Sequence, residues 1–214
     1  WKGEDRWFHI PGKGWVVSEL TRLARLTDPP KGLHPRERWI DVDLEEQILT
    51  AYRGQRPVYT TLISAGVWKY PTPTGTFRIF HKKAEADMRA DPTADEQYRA
   101  DHVPWTLYFK GGYALHGTYW HNGFGHARSH GCINLSPRDA AFIYHFSCPK
   151  VPKGWTALYA DEDHPGTLVR IRGKSRKEKG TKESDEEKPD KEKKQKVKEG
   201  KKDQKSDQPS KEAG

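Results

Sequence analysis

No run of eighteen apolar residues occurs anywhere in the 214-residue chain, so no segment reads as a membrane-spanning helix. Cysteine is scarce as well. Cys132 and Cys148 are the only two, which excludes a disulfide scaffold and fits no structural zinc pattern, while a single bridge between them stays open. A third shortage is regional. From Gly173 to Gly214 there is no aromatic residue, and Val197 and Ala213 are the only apolar groups among 15 basic and 11 acidic residues. Such a segment buries too little apolar surface to offset its ordering entropy. It reads as a disordered, Lys/Glu-rich tail of mixed charge, a solvated spacer first and an arm for polyanions second.

The net charge of +8 therefore conceals two different regions. Residues 1–172 hold every Trp, Tyr and Phe and only a mild excess of base, 23 against 19, which is material for one core. Their basic residues are scattered and interrupted by no nucleic-acid-binding motif, so no nucleic acid is expected as a partner. The first residue is Trp rather than Met, which suggests a trimmed piece or a mature fragment whose signal, if any, has been removed.

Along residues 1–30, "RWFHIPGKGWVVSEL" has short aromatic and β-branched runs broken by Pro11, Gly12 and Gly14, like the last strands of a small SH3-like module. "TDPPKGLHP" is a Pro-rich connector. In "RWIDVDLEEQILTAYRG", Ile40, Val42 and Leu44 recur at period two and predict a strand, with Gln47 to Arg53 as its partner. Further strands are expected at Val58 to Ser64, Thr76 to Phe80, Trp105 to Lys110 and Tyr113 to His116, the last two joined by a Gly111-Gly112 turn. His81 to Val103 is polar, shows no strand pattern and reads as a flap or insertion. Ser136 as N-cap, Pro137 at the first helical position and Asp139 three residues after the cap predict a helix over "SPRDAAFIYHF". "GWTALYA" and "GTLVRIRG" close the body as strands. The expected class is mainly β with one short helix.

The stretch "HGTYWHNGFGHARSHGCINL", His116 to Leu135, crowds four histidines and a cysteine into twenty residues. A metal cage is one reading, but the intervals match neither a helical His pair nor a Cys-x-x-Cys pair. A Gly-rich loop of structural polar groups is another, and it suits His121 and His126. The third is nucleophilic chemistry. A thiol is mostly protonated at neutral pH and needs a nearby imidazole to be activated, and His116 ends a predicted strand sixteen positions before Cys132. Gly131 lets the backbone approach a substrate, and the N–H groups of Gly131 and Cys132 suit a developing oxyanion. Together these parts describe acyl transfer.

"SHGCIN", preceded by "HGTYWH", resembles the active-site signature of the YkuD family of L,D-transpeptidases, and "RWIDVDLEEQILTAY", "TLISAG", "PTPTGTF" and "YALHG" resemble the family's strands in the same order, over residues 38–172. The resemblance implies a β-sandwich of mixed sheets with a short helix after the nucleophile, no cofactor and no metal. It implies an exported monomer of the periplasm or cell wall that acts on peptidoglycan stem peptides, its tail free to meet anionic cell-envelope polymers. Carried over residue by residue, Cys132 is the nucleophile, His116 its base, the Gly117 carbonyl the orienter of the imidazole, and Gly131 and Cys132 the oxyanion donors with His130 shaping the hole. Ser129 and Asn134 would fix the loop, Arg128 would meet a substrate carboxylate, and Trp120 and Tyr119 would line the cleft or belong to the core. Trp105 stands where the family has an aromatic at the cleft mouth. Cys148 matches no catalytic position and reads as a buried small hydrophobe. The same residues serve an L,D-carboxypeptidase, and a wall-binding module with no chemistry is the alternative from another class.

Overall fold

The computed structural model describes residues 7–89 and 98–175. By its internal contacts the chain divides at residue 177, and the second unit, Glu178–Gly214, lies outside the described residues, where most of the expected disordered tail falls. In chain order the strands are β1 (Trp7–Ile10), β2 (Gly14–Val17), β3 (Arg38–Asp43), β4 (Ile48–Arg53), β5 (Arg56–Leu62), β6 (Gly75–Arg78), β7 (His81–Arg89), β8 (Arg99–Lys110), β9 (Tyr113–Gly117) and β10 (Ile133–Leu135). The helix α1 (Pro137–Phe146) and strands β11 (Ala157–Tyr159) and β12 (Leu168–Arg172) complete the set. β1 and β2 form an antiparallel hairpin of their own, at the place of the SH3-like resemblance.

Two five-stranded sheets form the body, ordered β5-β4-β3-β12-β6 and β10-β9-β8-β7-β11. The β3–β12 and β9–β10 pairs are parallel and the other pairs antiparallel, so both sheets are mixed, as expected. Period-two alternation decides what lies between them. Ile40 and Val42 of β3, followed by Leu44, turn into one core with Leu49 and Ala51 of β4 and Val169 and Ile171 of β12. Leu107 and Phe109 of β8, Leu115 of β9 and Ile133 and Leu135 of β10 enter the same core from the second sheet. The opposite face of β3 carries Trp39, which stacks on Tyr52 at 4.3 Å and donates its indole N–H to the Gly54 carbonyl at 2.7 Å.

The segment His81 to Val103, expected to lack strands, instead supplies all of β7 and the start of β8, paired from His81↔Tyr108 to Arg89↔Arg99. The buried positions of β7 are His81, Lys82, Ala86 and Met88, of which only the last two are apolar, too short a run to show as an apolar alternation. The helix begins as its capping residues predict. Ser136 Oγ accepts from the Asp139 N–H at 3.2 Å, and the Asp139 carboxylate accepts from Tyr59 and Thr61 of β5 at 2.6 and 2.7 Å, tying α1 to the far sheet. Burial alone would raise the Asp139 pKa, but the hydroxyls of Ser136, Tyr59 and Thr61 hold it below the usual carboxylate value.

The other end of α1 is closed by Lys82, almost fully buried, whose ammonium donates to the carbonyls of Tyr144, Ser147 and Pro149 at 2.7, 3.1 and 2.9 Å. A helix C-terminus leaves carbonyls without intrahelical partners and attracts positive charge. Burial nevertheless pushes the Lys82 pKa down to about 7. Its folded value therefore lies below the unfolded value of about 10.4, so the unfolded chain binds more protons between the two and stability rises with pH there. Lys82→Met, which leaves the carbonyls unmatched, should lower the unfolding free energy by at least about 2 kcal/mol. Urea melts of the two proteins should show the gap widening from about pH 7 toward about pH 10; a pH-independent gap would contradict the low pKa.

Candidate active site

The parallel register of β9 and β10 pairs Leu115 with Ile133 and His116 with Asn134. Leu115, Ile133 and Leu135 face the core, so alternation sends Ala114, His116, Cys132 and Asn134 to the other face, where Cys132 packs beside Ala114, Val103 and Met88. His116, Cys132 and Asn134 line one cleft there, with a volume of about 500 Å³. The "TLISAG" segment braces the motif loop from the side. Ser64 and Asn134 exchange backbone hydrogen bonds at 2.9 Å, and the N–H groups of Arg128 and Val67 bond to the carbonyls of Ala65 and Ser129 at 2.9 and 3.0 Å.

Two glycines make this close approach possible. Gly131 has φ +114°, and a Cβ there would lie 2.5 Å from the Tyr113 ring, while a Cβ on Gly66 would lie 2.9 Å from Gly131 Cα. Ser129 closes the turn: its hydroxyl donates to the Cys132 carbonyl at 2.5 Å and accepts the Gly131 N–H at 3.1 Å. The Gly131 N–H expected to face an oxyanion is thus held by Ser129 in the resting protein.

His116 is buried, and Nδ1 lies 3.2 Å from the Gly117 carbonyl and 3.4 Å from the Thr118 hydroxyl. A carbonyl only accepts, so Nδ1 carries the ring proton and Nε2 is left with its lone pair. Burial lowers the His116 pKa to about 4, against the Gly117 hydrogen bond that raises it. Burial also raises the Cys132 thiol above its ordinary value, and Sγ rests 3.8 Å from the Gly112 carbonyl. At neutral pH the resting site therefore holds a neutral imidazole and a protonated thiol.

Around this pair the structure sorts the remaining candidates. Trp120 is 46% exposed and lies over the His116 ring at 5.9 Å, and Tyr119, 59% exposed, donates to the Asp101 carbonyl at 2.7 Å, so both belong to the cleft and neither to the core. Arg128 and His130 are exposed on the cleft wall. Trp105 is not at the cleft mouth; its ring packs on Tyr144 and His145 of α1 at 5.1 and 5.2 Å. His121 proves to be more than a loop residue. Its Nδ1 lies 3.3 Å from the Gly123 N–H and its Nε2 3.0 Å from Asn134 Nδ2, an amide donor, so the ring bridges the loop to β10. Burial, then the Arg128 charge, lowers the His121 pKa and keeps it neutral for that role. His126 is exposed and does not line the cleft. Cys132 and Cys148 are both free thiols, so the bridge between them is not formed.

The opposite wall was missed in the sequence. Met88 of β7 and Arg99, Ala100 and Asp101 of β8 line the cleft with Tyr98, whose ring stacks on His130 at 5.2 Å while Tyr70 meets the other side at 4.7 Å. Ala84, Ala86 and Met88 at period two were the one available sign of that strand.

The family model for the YkuD L,D-transpeptidase catalytic domain matches residues 37–171. The chain belongs to this family. The catalytic domain of the Enterococcus faecium L,D-transpeptidase is 25% identical over 65% of this chain and 99% of that one, with a TM-score of 0.50. A C442S mutant of the Enterococcus faecium enzyme is 21% identical over 79% of this chain and 74% of that one, with a TM-score of 0.51. L,D-transpeptidase 3 from Mycobacterium tuberculosis, solved with a faropenem-derived adduct, is 18% identical with a TM-score of 0.50 and covers 64% of this chain. The YkuD chain described here spans 60% of that enzyme's length. No match was found among curated proteins by sequence.

Two outcomes follow for this YkuD domain. Alkylation of Cys132 by iodoacetamide should accelerate steadily through pH 8.5, the ordinary thiol value of about 8.5 being exceeded; a plateau below pH 7 would indicate a preformed thiolate–imidazolium pair instead. Gly131→Ala should cost about 1–3 kcal/mol in thermal melts, from the positive φ and the Tyr113 contact.

Proposed function

We propose that this domain is a cysteine L,D-transpeptidase that acts on peptidoglycan stem peptides through a Cys132 thioester and forms 3→3 cross-links. The observation that carries the reading is the shared face of β9 and β10, which gathers His116, Cys132 and Asn134 in one cleft of a YkuD chain with the His116 tautomer set by Gly117. As the thiol attacks the carbonyl of the L-centred residue, its proton passes to His116 Nε2, so charge separates only as the new C–S bond forms. The Cys132 N–H meets the oxyanion first, and the Gly131 N–H joins by exchanging Ser129 Oγ for it. The imidazolium then returns the proton to the departing D-amino acid. An acceptor amine repeats the sequence in reverse: it gives its proton to His116, attacks the thioester, and the thiol is restored.

Trp120 beside the imidazole and Tyr98 on the opposite wall flank the cleft with aromatic surface, which favours an acceptor that packs against them over water. Arg128 on the rim is placed for a substrate carboxylate. Peptidoglycan lies outside the cytoplasm, so the site of action is the periplasm or cell wall. The domain acts as a monomer, with residues 38–172 as the catalytic part.

The faropenem-derived adduct of the Mycobacterium tuberculosis relative suggests a β-lactam as the probe. Intact-protein mass spectrometry after exposure to a carbapenem should show one adduct, mapped to Cys132 and absent in Cys132→Ala; unmodified protein at saturating drug would overturn the nucleophile assignment. Incubation with tetrapeptide-bearing muropeptides should yield 3→3 dimers. Tripeptide monomers alone would mean a carboxypeptidase, and neither product would leave only a wall-binding role.

A further inference from the structure

A larger cavity lies away from the YkuD signature. α1 is ten residues long and so about 15 Å from end to end. Cys132 and β10 precede its N-terminus, and Cys148 follows its C-terminus. Cys148 was expected to be a buried small hydrophobe; it is half-buried and lines a cavity of about 970 Å³. That volume falls in the usual range for small-molecule sites. Pro152, Leu158 and Tyr159 give the cavity apolar walls.

Its charge is one-sided. Arg36, Arg38, Arg53, Arg78 and Lys150 face it, against Glu37, Asp161 and Asp163. Glu37 is occupied by Arg78 at 2.9 Å and Asp161 by His164 at 3.1 Å, while Lys150 donates to the last carbonyls of α1. Among the described residues no carboxylate pairs with Arg36, Arg38 or Arg53. Arg38 instead turns a guanidinium N–H to the Cys148 sulfur at 3.9 Å and lies over the Phe146 ring at 5.7 Å. Three arginines around an apolar hollow, with Asp163 as the one lining carboxylate outside an ion pair among the described residues, leave an excess of positive charge that small anions complement.

We propose that this cavity is a second ligand site, which takes an organic oxyanion with an apolar body, its charge met by Arg36, Arg38 and Arg53 and its body lying against Cys148. Carboxylates and phosphates share that chemistry. The site is independent of the transpeptidase reading, and Cys148 reports on it directly. In Cys132→Ala, where Cys148 is the remaining thiol, the anionic disulfide 5,5′-dithiobis(2-nitrobenzoate) and the neutral 2,2′-dithiodipyridine are compared. In each case the Cys148 thiolate attacks one sulfur of the reagent, the reagent's disulfide breaks, a mixed disulfide stays on the protein and one aryl thiolate leaves and is counted by absorbance.

The anionic reagent should be favoured by about tenfold over its preference with free cysteine, the gain expected from a focused positive field. Arg36→Ala with Arg53→Ala, both exposed positions that leave the core untouched, should abolish the preference. Benzoate or phenyl phosphate should protect Cys148 where chloride at equal ionic strength does not, and whichever protects better names the head group. A preference equal to that of free cysteine, one indifferent to the arginine substitutions, protection by neither anion, or a Cys148 inert to both reagents would each overturn the site.

Discussion

Everything at the active site depends on one parallel strand pairing at the edge of a sheet. β10 is three residues long and is held on β9 through Ile133↔Leu115 and Asn134↔His116. The core fixes that register. Leu115, Ile133 and Leu135 are fully buried, and a slip of β10 by one residue would turn Ile133 and Leu135 to the cleft and Cys132 and Asn134 into the core. Core packing therefore sets the chemistry: the hydrophobic side of two short strands decides which polar side chains meet on the other. The Ser64–Asn134 backbone pair adds a second clamp from the opposite sheet.

That same packing determines the electrostatics. His116 is placed where burial suppresses its protonation, and Cys132 where burial suppresses ionisation. A preformed ion pair would carry the desolvation cost of two charges in the resting protein, whereas two neutral partners would, on the proposed mechanism, defer charge separation to the attack itself. The Gly117 carbonyl, which can only accept, fixes the ring proton on Nδ1 and leaves Nε2 as the nitrogen able to take one up. Asn134 and His121 build a second fixed polar pair beside it.

Legibility in the sequence follows the physical signal each element emits. Ile40, Val42 and Leu44 are apolar at period two and face the core, and Ser136-Pro137 with Asp139 cap a helix through local hydrogen bonds, so both are visible in a short window. The Ser129–Asn134 motif is visible because a glycine set between a histidine and one of two cysteines is an uncommon arrangement, and the structure gives that glycine a positive φ. β7 is not visible, because His81 is buried by stacking on Tyr159 at 3.8 Å and Lys82 by capping a helix, and these are long-range reasons for burying polar residues. Trp105 and Trp120 look alike as isolated aromatics beside strands; what separates them is that α1 covers one and solvent meets the other. The cationic cavity draws on residues from 36 to 167, a span no local pattern reports.

The helix that follows the motif links these features. Asp139 ties its first turn to Tyr59 and Thr61 of β5, and Lys82 of β7 closes its last, so α1 bridges both sheets and stiffens the base of the β7–β8 hairpin. Farther out the hairpin is held differently. Arg99–Asp101 and His102–Glu85 are exposed ion pairs at 2.7 and 2.6 Å, of a kind that contributes little in water. The described outer wall meets the cleft through the Tyr98–His130 stack and the Tyr119–Asp101 hydrogen bond, and Met88 and Ala100 share an apolar cluster with Ala114 and Cys132. The stack and the hydrogen bond lie on exposed aromatic residues, whereas the floor of β9 and β10 is set by side chains buried in the core. The fold thus separates a cleft floor whose register the core dictates from an outer wall whose polar contacts meet solvent.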